Sequence, residues 1–73
     1  MWTDKITVNE EILAGKPIVK GTRLSVDFII DLLANDWSNE DILKNYPQLT
    51  KQDIRACLEY AASIIKDENV LIM

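Results

Sequence analysis

Residues 37–54 read Trp-Ser-Asn-Glu-Asp-Ile-Leu-Lys-Asn-Tyr-Pro-Gln-Leu-Thr-Lys-Gln-Asp-Ile, and the same helix opening occurs in this stretch twice. Trp37-Ser38 is followed by Asp41 and Ile42, and Leu49-Thr50 by Asp53 and Ile54. A Ser or Thr at the N-cap accepts a hydrogen bond from an orphan N–H of the first turn. The acid three places on bonds back to the cap, and the flanking apolar pair closes as a hydrophobic staple. Pro47 disfavours helical geometry at Tyr46, so the first of these two helices is short. Two helices joined by a tight turn have helix-turn-helix proportions. A third copy without the acid, Leu24-Ser25 with Ile29, opens another helix upstream.

From these signals the chain is mainly α, a three-helix bundle with helices over about 25–34, 39–45 and 51–66. Val26, Ile29, Ile30 and Leu33 face inward on the first, and Ile42 and Leu43 on the second. Ile54, Leu58, Ala61 and Ile65 form the stripe of the third, widened by Cys57 and Ala62. Upstream, Ile6-Thr7-Val8 alternates and is β-branched, and Pro17 to Lys20 is again extended, so short strands are expected at about 6–8 and 17–20. Between them Asn9 is placed to cap one helical turn through Ala14, with Val8 and Leu13 as its staple. Strands this short need a neighbour, and pairing between protomers is the favoured arrangement over packing on the helices.

The 73 residues form a single domain spanning 1–73, near the size at which one core gives only marginal stability, so a homodimer is expected. A hydrophobic share of 48% with two prolines and two glycines is a folded composition. Met1-Trp2-Thr3-Asp4 lacks the basic and apolar regions of a secretory signal, and no apolar run approaches spanning length, so a soluble, cytoplasmic protein without a membrane partner is expected. The apolar end, Val70-Leu71-Ile72-Met73, is expected either to pack back on the core or to supply dimer contact.

Charge is distributed unevenly. The net charge is −4, yet residues 1–23 carry +1 and residues 24–73 carry −5, while the segment from Lys44 to Arg55 alone carries +2. The total argues against strong non-specific affinity for nucleic acid, which depends on displacing counterions from phosphate. The local reversal falls at the start of the third helix.

Catalysis finds little support, and no enzyme activity, cofactor, metal or small-molecule substrate is expected. The chain has no histidine and one cysteine, which removes the commonest general base and the usual zinc ligand sets. Cys57 falls on an apolar stripe and reads as a small buried hydrophobe. Gly15 and Gly21 do not form a phosphate-binding loop.

The segments Ile6-Thr7-Val8-Asn9, Gly15-Lys16-Pro17-Ile18-Val19-Lys20-Gly21-Thr22-Arg23-Leu24, Tyr46-Pro47-Gln48-Leu49-Thr50 and Asp53-Ile54-Arg55-Ala56, in this order and spacing, resemble the family called domain of unknown function 433 (DUF433). The resemblance runs over about residues 6–68. It implies a small helix-turn-helix-like fold preceded by short strands. It also implies an antitoxin of a type II toxin–antitoxin pair, often encoded beside a PIN-like ribonuclease. No site residue comes with it.

Read from the residues alone, the third helix is the recognition helix of a helix-turn-helix, and its first turns would enter the major groove. Arg55 suits guanine and Gln52 suits adenine, while Thr50, Lys51 and Gln48 are placed to meet phosphate. Any solvent-facing helix start could carry Lys51, Gln52 and Arg55, and Thr50 is already explained as a cap. Lys20 and Arg23 could touch phosphate as an arm, or Arg23 could pair with an acid such as Asp27. Two functions remain open: a dimeric DNA-binding autorepressor acting on its own promoter and neutralising a PIN-like toxin, or a protein-interaction module without independent DNA binding.

Overall fold

A computed structural model describes residues 2–67, with Asp67 described by its backbone alone. A 3-10 turn at Trp2–Asp4 leads into strand β1, Ile6–Val8; a second such turn, Leu13–Gly15, precedes strand β2, Pro17–Val19. Helices α1, Val26–Ala34, α2, Asn39–Asn45, and α3, Lys51–Asp67, follow. The chain is thus mainly α, with a two-stranded sheet at its N-terminal end. No helix among the described residues is long and apolar enough to cross a membrane.

The strands do not wait for a second protomer. β1 and β2 pair antiparallel within the chain, Ile6 opposite Val19 and Thr7 opposite Ile18, which corrects the expected pairing between protomers. Antiparallel strands can close on one another through a short connection, and burial of Ile6 and Val19 in the helical core supplies what an isolated hairpin lacks. The outer edge of β2 is partly covered as well, by a bridge between Ile18 and Ser25. The linking segment also departs from expectation. Asn9 Oδ1 accepts the Glu11 N–H at 2.9 Å and the Ile12 N–H closes a turn on the Asn9 carbonyl, but no right-handed helical turn runs on to Ala14, because Leu13, Ala14 and Gly15 are all at positive φ. Val8 and Leu13 are exposed, so the staple expected there does not form.

The caps are as the residue pattern predicts. Ser25 accepts the Phe28 N–H, and Ser38 and Asp41 form a reciprocal capping box. At α3, Thr50 Oγ1 accepts the Asp53 N–H at 3.2 Å while Asp53 Oδ2 accepts the Thr50 N–H at 2.9 Å. Helix α1 ends on Asp36 in the left-handed region, φ 70°, where the Asp36 and Trp37 N–H groups return to the carbonyls of Leu33 and Leu32. That double bond pattern satisfies the last carbonyls of the helix. Trp37 therefore closes α1 and, one residue before the Ser38 cap, opens α2.

The core gathers Ile6, Val19, Val26, Ile29, Ile42, Leu49, Ile54, Ala56 and Cys57. The staple residues of α2 and α3 belong to or border this cluster, with Leu49, Ile42 and Ile54 buried and Trp37 packed against it. Helix α3 is turned from its expected orientation. Leu58 is 49% and Ile65 62% exposed, while Asp53 and Ala56 are buried. The 3-10 turn at the N-terminal end packs on this side of the helix, where Trp2 meets Tyr60 edge-on at 4.9 Å between ring centres. Trp2 is docked within its own chain, and Tyr60 is half-buried beneath it. Tyr46 meets Phe28 of α1 edge-on at 5.6 Å and lies near Trp37, so it packs the α1–α2 corner. The apolar residues 70–73 lie outside the described residues.

Candidate functional site

Between α2 and α3 the chain turns in five residues. The Leu49 N–H donates to the Tyr46 carbonyl at 2.9 Å, and this turn puts Pro47 and Gln48 on the outside and Leu49 in the core. Because Leu49 and Ile54 are both buried, the first turn of α3 is held from below. Lys51, Gln52 and Arg55 are then left on the outer side, all exposed. Gln48 is exposed in the turn before them. Thr50 is exposed too, but its hydroxyl is engaged by the cap.

The guanidinium of Arg55 is not idle. Its Nε donates to Glu59 Oε2 at 3.3 Å, one helical turn on, with the Arg55 side chain 80% exposed. A surface pair of this kind contributes little and is exchanged readily for another anion. Lys20 lies just past β2, at the open end of the hairpin, beside Gly21, whose φ of 84° suits the turn there. Arg23 is separate. With Leu13, Leu24, Ser25 and Phe28 it lines a shallow depression at the start of α1 that contains no residue of α3. Nor does it pair with Asp27, whose partner is Lys16 at 3.3 Å. The Ser25 hydroxyl, followed by Lys16, holds the Asp27 carboxyl below its ordinary value.

One basic residue of this surface escaped the sequence reading. Lys5 Nζ stands 3.9 Å from Asp53 Oδ1, and Lys5 lines a cleft of about 320 Å³ with Gln52 and Arg55, alongside Asp4, Ala56 and Glu59. Lys20 belongs to the same neighbourhood, because its N–H donates to the Lys5 carbonyl at 2.7 Å. The strand register carries the signal that would have found it.

A second surface has a different character. Val26, Ile30, Ala34, Tyr60, Ala61, Ile64 and other residues of α1 and the far half of α3 enclose a groove of about 570 Å³. Its walls are almost wholly apolar, with Lys16, Asp27 and Asp31 at the rim. Cys57 lies inside the core; burial, with the charge of Asp53 adding to it, pushes its thiol up to about 11. Among the described residues no cluster of three or more His, Cys, Asp or Glu is placed to hold a metal ion.

A hairpin followed by three helices, with a basic first turn on the last of them, defines a class of small helical domain carrying one polar contact face and one apolar one. The sequence model of the family described as Protein of unknown function (DUF433) matches residues 6–61, and the chain belongs to that family. No curated protein and no solved structure matches it.

Proposed function

We propose that this chain is the antitoxin of a toxin–antitoxin pair, a DNA-binding regulator that represses its own promoter through α2, the turn and α3 acting as a helix-turn-helix. One observation carries the reading: Lys51, Gln52 and Arg55 project from the first turns of a helix whose other side is buried on Ile54, Ala56 and Cys57. A recognition helix needs this disposition, since its N-terminal side chains meet base edges while its opposite side is anchored in the domain. Gln48 and Thr50, at the helix start, are suited to phosphate, and Lys20 to a contact beside it.

A dimer belongs to the same reading, because a palindromic operator requires two recognition helices. The apolar groove between α1 and α3, with Leu58 and Ile65 exposed on α3, supports a homodimer formed there. The net charge of −4 favours a second role, capture of a basic PIN-like ribonuclease, and so supports the alternative of a protein-interaction module without independent DNA binding.

The test is binding of a labelled duplex from the chain's own promoter at several salt concentrations, for wild type, Lys51→Ala and Arg55→Ala. Each lost phosphate contact lowers the salt slope by about one, and a lost base contact relaxes sequence preference. Identical binding by all three proteins would remove α3 from the interface. Co-purification with the product of the neighbouring gene tests the toxin-binding role.

A further inference from the structure

We infer that Lys5 is a phosphate-contacting residue of the proposed DNA-binding face, and that with Lys20 it carries this face from the start of α3 onto the end of the hairpin. The inference rests on the DNA-binding reading and adds a second element to the contact. The ladder provides the first support. One step beyond the Ile6–Val19 pair, the Lys20 N–H donates to the Lys5 carbonyl at 2.7 Å, so the backbones of the two lysines stay side by side past the end of the ladder.

Asp53 provides the second. A carboxylate in the first turn of a helix suits the helix dipole but repels a phosphate arriving at the same end. Here both its oxygens are engaged, Oδ2 by the Thr50 N–H at 2.9 Å and Oδ1 by Lys5 Nζ at 3.9 Å. Lys5 thus screens the acid that stands closest to the recognition turn. An ammonium has three N–H donors, and the Lys5 side chain is 43% exposed, so donors remain for a phosphate oxygen after the contact with Asp53. Third, Lys5 shares one cleft with Gln52 and Arg55, so a backbone reaching those two passes it. Asp4 and Glu59 also line this cleft; Glu59 is already turned to Arg55, and the pair exchanges for phosphate.

The experiment uses a random-sequence duplex of about twenty base pairs, long enough for one domain's backbone contacts. Binding is followed by fluorescence anisotropy across a salt series for wild type, Lys5→Gln, Lys20→Gln, Lys51→Ala, Arg55→Ala, and Lys66→Gln as a control at the exposed far end of α3. Expected is a salt slope lower by about one in each of Lys5→Gln and Lys20→Gln, and unchanged in Lys66→Gln. Circular dichroism melts establish that each variant is folded, and Lys20→Gln carries the test should Lys5→Gln fail to fold. The double variant Lys5→Gln with Asp53→Asn separates contact from screening. It stays below wild type if Lys5 touches phosphate, and full recovery would overturn the contact. Should Lys51→Ala and Arg55→Ala lower the slope while Lys5→Gln and Lys20→Gln leave it unchanged, the inference fails and the DNA-binding reading survives. Absence of binding by the wild type both to this duplex and to one from its own promoter would remove both.

Discussion

Lys5 and Asp53, 48 residues apart in sequence, meet with Nζ and Oδ1 at 3.9 Å and tie the hairpin to the opening turn of α3. Asp53 is buried and also accepts the Thr50 N–H, so its two partners come from different parts of the fold. Replacing it with alanine removes a cap acceptor and leaves Lys5 without this partner. Asp53→Ala should lose about 1–2 kcal/mol in urea unfolding, within the range of lost caps. Lys5→Met removes only a half-exposed ammonium and should lose less than about 1 kcal/mol. Equal losses in the two variants would assign the stabilisation to the ion pair rather than the cap.

Glu59 competes with phosphate for Arg55, with Nε and Oε2 3.3 Å apart. On the DNA-binding reading, Glu59→Gln should tighten duplex binding and steepen its salt dependence. The change should be absent in an Arg55→Ala background. A tightening that persists there would mean that Glu59 acts through general repulsion and not through this arginine.

The thiol of Cys57 is raised from 9.0 to about 11 because it is buried, with Asp53 adding a like charge. The folded protein therefore holds this proton where the unfolded chain releases it. The contribution to stability is fully present below about pH 9 and is lost as pH rises towards about 11. Urea unfolding across that window should show wild type losing stability faster than Cys57→Ala. A maleimide should leave Cys57 of the native protein unlabelled at pH 7.5 and label it in urea; rapid native labelling would contradict its burial.

Asp36 holds φ at 70° without being glycine. Glycine reaches this region without a side-chain clash, and its greater freedom in the unfolded chain takes back part of the gain. Asp36→Gly should stabilise the domain by about 0.5–1 kcal/mol, read as a higher melting temperature. A fall would show that the aspartate makes a compensating interaction at this corner.

The proposed homodimer places Ile65, 62% exposed, near the centre of an apolar contact. Ile65→Asp should convert the dimer to monomer in sedimentation equilibrium and leave the secondary structure intact. A wild-type protein that sediments as a monomer at high concentration would remove this interface.

How much of this was legible in the sequence follows the range of the forces involved. Caps depend on three or four adjacent residues, and Ser25, Ser38, Thr50 and Asn35-Asp36 give the helix limits almost to the residue. The partner of β1 was not legible, because apolar alternation satisfies pairing within a chain and between chains equally. The rotation of α3 was hidden for a related reason: apolar residues run round much of the helix, Leu58 and Ile65 on one side and Ala56 and Cys57 on the other, and Tyr60 is met by Trp2 from 58 residues away. Lys51, Gln52 and Arg55 were placed outward correctly, whereas Lys5 was missed because its nearness to α3 depends on the hairpin register.

Trp37 has a consequence for how the domain can move. Its amide ends one helix and its indole, a single residue before Ser38, opens the next, so the corner contains no spare residue to act as a hinge. The corner therefore passes the direction of α1 on to α2 without a joint between them.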